Sequence, residues 1–138
     1  DAARSLCIDE LAKYQAYVDD QIIVVFDAYR VKNYRETVER YGNLVVIYTK
    51  LAETADQYIQ KVSKEYSKNY QVTVATSDMA EQRIVWGDGA IVRSAEALWE
   101  EIFARIKQEE DRYRKTVAPS LKQGISIDEK EVGGRDDE

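Results

Sequence analysis

Three short runs of apolar, β-prone residues constrain the fold of this chain more than any other feature. Ile22–Phe26 and Leu44–Tyr48 are apolar at every position, and residues 72–75 are apolar around Thr73. A strand that is apolar on both faces is typical of a sheet covered by helices on each side, whereas a strand with one face in solvent alternates. The chain is therefore expected to form a buried sheet.

Amphipathic helical patterns surround these runs. One apolar stripe at helical spacing runs from Ala3 to Val18, and a second runs from Ala55 to Tyr66. Residues 30–43 are polar and fit either a helix or an irregular crossover. Each stripe needs an apolar surface to cover, and the predicted strands supply it.

The second half of the chain continues this alternation. Met79 is expected to begin a short helix that leads into residues 84–86 as the last strand, after which glycines break the chain. Ser94 is expected to cap a long helix that stops before Pro119. Strands and helices that alternate with crossover-length connections predict an α/β fold, specifically a three-layer α/β/α sandwich with a mostly parallel sheet.

Length and composition suit one globular domain. The chain has 138 residues, of which 44% are hydrophobic. We expect residues 1–118 to form the domain and residues 119–138, which are acidic and have little to bury, to form a disordered tail. No run of about 18 apolar residues and no signal-peptide pattern is present, so we expect a soluble, cytoplasmic protein with no membrane segment.

The reactive side chains of the sequence are mainly carboxylates. Histidine is absent and Cys7 is the single cysteine, which excludes zinc sites and nucleophilic catalysis that depends on histidine. The net charge of -6 argues against a broad nucleic-acid-binding surface. Any chemistry at a compact site is therefore expected to use acids.

Three aspartates are predicted to lie at the carboxyl ends of strands, where sites in such folds occur. Asp27 follows the predicted strand Ile22–Phe26, and Asp78 closes the predicted strand at residues 72–75. Asp56 lies in the first turn of the helix that follows Leu44–Tyr48. Glu53 is three residues before Asp56 and shares its face. Carboxylates brought together repel one another, so such a cluster implies a divalent cation, with magnesium or manganese favoured by oxygen-only ligands. The chemistry that these ions support is phosphoryl or phosphodiester transfer.

Each acid also has a structural explanation. Asp78 with Glu81 fits a capping box at the start of a helix, and Asp27 fits a turn. Asp56 and Glu53 suit the positive end of a helix dipole. Capping and catalytic roles are compatible, so both interpretations stay open for Asp78.

Several motifs resemble the YacP-like NYN domain family, which consists of PIN-like endoribonucleases. They are Val-Val-Phe-Asp27-Ala, Tyr-Thr-Lys-x-x-Glu53-Thr54-Ala55-Asp56, Val-Ala-Thr-Ser77-Asp78-x-x-Glu81-Gln82, Gly87-x-Gly89-Ala90 and Arg93-Ser94-Ala95. They occur in family order and spacing between about residue 3 and residue 107. The resemblance implies a PIN-like sheet with strand order 3-2-1-4-5 and a metal-dependent endoribonuclease. In one branch of the family the substrate is messenger RNA on the translating ribosome.

The resemblance also implies roles for individual residues. Asp27, Asp56 and Asp78 are expected to be catalytic and, with Glu53, to bind Mg²⁺ or Mn²⁺. The residues expected to contact substrate are Lys50, Arg83, Arg93, Thr54 and Ser77. RNA is the expected partner, and the ribosome a further one; the pattern does not indicate an oligomeric state.

The resemblance departs at the amino terminus. The family's first strand ends in Asp-Gly-Tyr-Asn and supplies a central acid, whereas this chain starts at the helix that follows. We expect residues before Asp1 to fill a slot between Ile22–Phe26 and residues 72–75. These two strands are then expected to be about 10 Å apart, two strand spacings, instead of directly paired.

Three hypotheses about function follow. The first is a metal-dependent endoribonuclease. The second is a catalytically inactive RNA- or ribosome-binding module of the same fold. The third is a protein-interaction domain in which the acids only cap helices.

Overall fold

A computed structural model describes residues 2–28 and 35–117 of the chain. The elements in chain order are helix α1 (Ala2–Gln15), strands β1 (Ile22–Phe26), β2 (Thr37–Tyr41) and β3 (Leu44–Tyr48), helix α2 (Ala55–Tyr66), strand β4 (Thr73–Ala75), helix α3 (Met79–Gly87), strand β5 (Ile91–Arg93) and helix α4 (Ala95–Thr116). The expected disordered tail, residues 119–138, lies outside the described residues, as do residues 30–34 of the polar stretch.

The first sheet has the strand order β1-β3-β2. β1 and β3 are parallel, and β2 is antiparallel to β3. The two-residue loop between β2 and β3 places Gly42 at its first position with φ of +61°, a conformation that glycine adopts without steric cost. The polar stretch whose structure the sequence left open therefore contains a hairpin strand.

Helices cover both faces of this sheet. Because side chains alternate along a strand, Val45 and Ile47 point to one face, where they form a core with Tyr58 of α2. On the other face the rings of Phe26 and Tyr48 stack at 5.6 Å, and the guanidinium of Arg4 in α1 lies over both rings. The expected three-layer arrangement is thus present around the first sheet.

The second sheet consists of the parallel strands β4 and β5. The α3 helix connects them, and its Val85 is fully buried with Val74 of β4 and with Ala90. Ile59 of α2 packs against the same cluster. The α2 helix therefore contributes side chains to the cores of both sheets.

The prediction that residues 84–86 form the last strand is wrong. These residues belong to α3, and the strand that pairs with β4 is β5, at 91–93. The buried positions of α3 are Glu81 and Val85, four residues apart as on one face of a helix, while Ile84 and Trp86 are exposed. A short apolar run does not distinguish a strand from a helix, and here burial follows the helical period.

The prediction of one mostly parallel sheet is correct only in part. Two of the three strand pairings in the described residues are parallel, but the strands divide into two sheets. No ladder joins β1 to β4 within the described part of the chain, as expected from the sequence. The distance of about 10 Å between them stays a prediction.

The chain divides into two compact units, Asp1–Phe103 and Ala104–Glu138. In the described part of the second unit, helical ion pairs join Glu109 to Arg105 and Arg112 at 2.7 Å. No helix in residues 2–28 and 35–117 is long and apolar enough to cross a membrane.

Candidate active site

Asp27 follows the last residue of β1, and two hydrogen bonds fix the backbone around it. Thr49, the residue after β3, is fully buried. Its N–H donates to the carbonyl of Phe26 at 3.1 Å, and its Oγ1 accepts from the N–H of Ala28 at 3.0 Å. The peptide units on both sides of Asp27 are thus held, so its side chain leaves the sheet at a defined point at the strand end.

Asp78 is the N-cap of α3, as the sequence predicted. Its Oδ1 accepts from the N–H of Ala80 at 2.9 Å and from that of Glu81 at 3.2 Å. The return half of the capping box is absent, because the N–H of Asp78 donates to Thr76 Oγ1 at 3.1 Å. Gln82 also donates to the Thr76 carbonyl, at 2.8 Å. Hydrogen bonds to Thr76 therefore hold the loop that carries Asp78. The Glu81 side chain does not complete the capping box and forms other contacts.

Asp56 lies in the first turn of α2, which begins with a complete capping box. Thr54 Oγ1 accepts from the N–H of Gln57 at 3.1 Å, and Gln57 Oε1 accepts from the N–H of Thr54 at 2.9 Å. The hydroxyl of Thr54, predicted to contact substrate, is thus engaged in starting the helix. This cap sets the position of Asp56 two residues later.

The three aspartates interact electrostatically. Partial burial raises the pKa of Asp56, and the negative charges of Asp78 and Asp27 raise it further. Charges near a protein surface influence one another only at short range, because salt screens them beyond about 10 Å. The charges of Asp27 and Asp78 therefore act on Asp56, and that the three acids share one catalytic site stays a prediction.

A fourth acid, Glu81, belongs to the same cluster. It is only 2% exposed, and its Oε2 accepts from Gln60 Nε2 at 3.0 Å, while its Oε1 is buried with no hydrogen-bond partner among the described residues. Burial raises the pKa of Glu81, the Gln60 bond opposes this, and the charges of Asp56 and Asp78 raise the pKa further. A buried carboxylate oxygen without a partner is rare and is the kind of atom that a bound cation would satisfy.

Glu53, predicted to bind the metal, forms an ion pair with a lysine. Its Oε2 accepts from Lys61 Nζ at 3.1 Å, and its Oε1 is buried without a hydrogen-bond partner in the described residues. The charge of Glu53 is not among those that raise the pKa of Asp56. Lys61 thus neutralises one oxygen of Glu53, and metal binding by Glu53 stays a prediction.

The other predicted substrate contacts lie on several surfaces. Ser77 is exposed next to Asp78, Arg83 is exposed on α3, and Lys50 is exposed after β3. Arg93, at the end of β5, forms an ion pair with Glu101 of α4. Of these four residues, Ser77 lies beside one of the clustered acids in sequence.

The donor set of the cluster fits a hard divalent cation. The acids whose charges act on one another all offer carboxylate oxygens, and the unpartnered Oε1 of Glu81 would coordinate a bound cation. Within residues 2–28 and 35–117, no group of three acidic or cysteine side chains is arranged to hold one ion. That arrangement is compatible with Mg²⁺, which keeps several waters and is commonly bound through one or two carboxylates.

Two of the groups that matter here were not recognised in the sequence. Asp-x-x-Glu is a common capping pattern, so nothing distinguishes the buried Glu81 from an ordinary first-turn acid. Thr49 follows an apolar run and shows its role only through the pairing of β1 with β3. Both depend on contacts between residues that are far apart in sequence.

The fold and the acidic cluster together define a class of protein. The profile of the YacP-like NYN domain family matches residues 1–132, beyond the limit of about residue 107 suggested by the motifs. The chain therefore belongs to the YacP-like NYN domain family. NYN domains are typically nucleases.

Known relatives agree with this assignment. The chain is 37% identical over 128 residues to the uncharacterized protein YacP of Bacillus subtilis strain 168, covering 92% of this chain and 75% of the relative. It is similar to the crystal structure of Rae1 (YacP) from Bacillus subtilis, with a TM-score of 0.72 and 35% identity over 89% of this chain and 71% of that one. A mutant of Rae1 gives a TM-score of 0.68 at 35% identity, covering 86% and 67%.

Proposed function

We propose that this chain is a divalent-metal-dependent endoribonuclease that hydrolyses phosphodiester bonds of RNA. The observation that supports it most is that Asp27 follows β1, Asp56 and Asp78 begin helices, and the charges of Asp27 and Asp78 act on Asp56. The charges of Asp78 and Asp27 raise the pKa of Asp56, so the ionised form of Asp56 is disfavoured unless a cation compensates. Membership of a family whose domains are typically nucleases supplies the reaction class.

The side chains of the cluster have separate tasks in this proposal. One or two carboxylates among Asp27, Asp56 and Asp78 would bind Mg²⁺ or Mn²⁺ directly and the others through water, and the unpartnered Oε1 of Glu81 would contribute from the buried side. The bound cation would activate water and neutralise the charge that develops on the phosphate. Ser77 and Arg83, which are exposed and close to Asp78 in sequence, would contact the substrate phosphate.

We further propose messenger RNA as the substrate, acted on at the ribosome in the cytoplasm. This part rests on the family resemblance of the motifs. The absence of a three-acid group from the described residues favours one alternative, a catalytically inactive module of the same fold that binds RNA or the ribosome.

The substitution Asp78→Asn tests whether Asp78 is catalytic or only caps α3. Asn keeps an Oδ1 that can cap α3, so we expect the free energy of unfolding to be unchanged or raised, because one repelling charge is removed. Cleavage of end-labelled RNA in Mg²⁺ or Mn²⁺ should be abolished. Asp19→Asn, an exposed acid away from the cluster, is the matched control and should cleave like the wild type.

The outcomes are distinct. Undiminished cleavage by Asp78→Asn would refute its role, and unfolding would show that the residue is mainly structural. Wild-type protein that binds RNA but never cleaves it, with either metal, would favour the inactive module.

A further inference from the structure

An open groove of about 690 Å³ lies in the first unit, between the loop after β3 and α2. Its lining includes Lys50 from the loop and Gln57, Gln60, Lys61 and Lys64 from α2. Apart from Lys50, none of these residues was assigned a function from the sequence. The lining contains three lysines and two glutamines beside the acids Glu53 and Asp88, so cationic and hydrogen-bonding groups outnumber acids along one path.

The lysines of the groove are not equally available. Lys61 donates to Glu53 at 3.1 Å, and its ammonium lies 5.0 Å from the centre of the Tyr58 ring. Lys50 and Lys64 are exposed and form no ion pair within the described residues. The groove therefore presents two uncommitted ammonium groups in a chain whose net charge is -6.

A single side chain connects the groove to the acidic cluster. Gln60 lines the groove and donates through Nε2 to Glu81 Oε2 at 3.0 Å. Glu81 in turn lies close enough to Asp56 and Asp78 for their charges to raise its pKa. Gln60 thus belongs to the wall of the groove and is also hydrogen-bonded to an acid of the candidate active site.

We propose that this groove binds the sugar-phosphate backbone of single-stranded RNA next to the bond that is cleaved, with Lys50 and Lys64 contacting phosphates. The inference rests on the proposed function, because it takes the acidic cluster as the site of cleavage. A polyanion approaching a protein of net negative charge needs a local cationic surface, and phosphate contacts by lysine supply affinity without reading sequence. The glutamine amides add donors along the same path.

The test is the double substitution Lys50→Ala/Lys64→Ala. Binding of a short, fluorescently labelled single-stranded RNA is measured by anisotropy in EDTA, where metal-dependent cleavage is prevented, over a range of salt concentrations. We expect the affinity to fall roughly tenfold and the salt slope to decrease by about 0.7 for each phosphate that a lysine no longer neutralises. Both lysines are exposed, so the melting temperature should not change.

The matched control is Lys13→Ala/Lys107→Ala, which removes the same charge from exposed positions on α1 and α4. It should bind RNA like the wild type. Lys61 is left intact because its removal would leave the poorly exposed Glu53 carboxylate without its partner.

The possible results test the groove proposal and the endoribonuclease proposal separately. Equal decreases in affinity for the groove variant and the control would mean a general charge effect and would overturn the groove proposal. Unchanged binding by the groove variant, or no binding by the wild type, would overturn it as well. The wild type could also fail to cleave RNA while only the groove variant binds RNA more weakly. That result would refute the endoribonuclease proposal and retain the groove as an RNA-binding surface.

Discussion

At the scale of single residues, Glu81 is a buried acid whose surroundings disfavour its charge. Its carboxyl is buried, only one of its oxygens is hydrogen-bonded, and Asp56 and Asp78 lie nearby. Desolvation and like charges both favour the protonated form, which is why the pKa of Glu81 is raised. A destabilising buried acid of this kind is typical of a functional site, where an apolar residue could not replace it.

Glu81→Gln should therefore stabilise the protein in metal-free buffer, and increasingly so as the pH rises. A carboxyl with a raised folded-state pKa stabilises the fold at low pH and loses that contribution as the pH rises from its ordinary value through the folded value. Gln removes this loss and can still accept the Gln60 bond. Chemical unfolding should show little difference near pH 4 and a higher free energy of unfolding for Glu81→Gln at neutral pH.

Glu65→Gln is the control for this change. Glu65 is an exposed acid on α2, paired with Lys68 at 3.4 Å, so its substitution should have a small effect at every pH. A pH-independent effect of Glu81→Gln, or a loss of stability at neutral pH, would contradict the electrostatic account of the cluster.

At the scale of elements, the sequence predicted most clearly those parts whose pattern is local. β1 and β3 follow from continuous apolar runs, and the starts of α3 and α4 follow from Asp78 and Ser94, whose Oγ accepts from Ala97 at 3.1 Å. The strand expected at residues 84–86 failed because three apolar residues fit either period. The partners of a short strand such as β5 are fixed by tertiary packing, which no local pattern reports.

In the candidate site, too, local features could be predicted from the sequence and long-range contacts could not. The positions of Asp27 after β1 and of Asp78 at the start of α3 could be predicted, because both depend on local patterns, and that they share one site stays a prediction. The engagement of Glu53 by Lys61 and of Glu81 by Gln60 could not, since several acids and amides of α2 and α3 compete for the same partners. Residue type and spacing alone do not decide such a competition.

Substitutions within α3 test its helical assignment. Val85 is fully buried with Val74, so Val85→Ala should lower the free energy of unfolding by about 2 kcal/mol. Ile84 is 45% exposed, so Ile84→Ala should cost less than about 1 kcal/mol. Equal, large losses of stability at the two positions would indicate a strand buried on both faces. Denaturant unfolding of the two variants makes the comparison.

At the scale of the whole molecule, α2 connects the parts of the fold that matter for function. It packs on both sheets, carries Asp56 in its first turn, and presents Gln60 and Lys64 to the groove. The acids lie where the two sheets end, and no ladder joins β1 to β4 in the described residues. That an additional strand occupies the space between them stays a prediction from the family resemblance.

The central claim is that the clustered carboxylates form a divalent-cation site, and thermal unfolding during a Mn²⁺ titration tests it most directly. A ligand that binds only the folded protein stabilises it by about 2.7 kcal/mol at a hundred times its Kd. We predict a melting temperature that rises with Mn²⁺ for the wild type and for Asp19→Asn, and that stays nearly constant for Asp56→Asn. Equal shifts in all three proteins, or none in the wild type, would contradict the account.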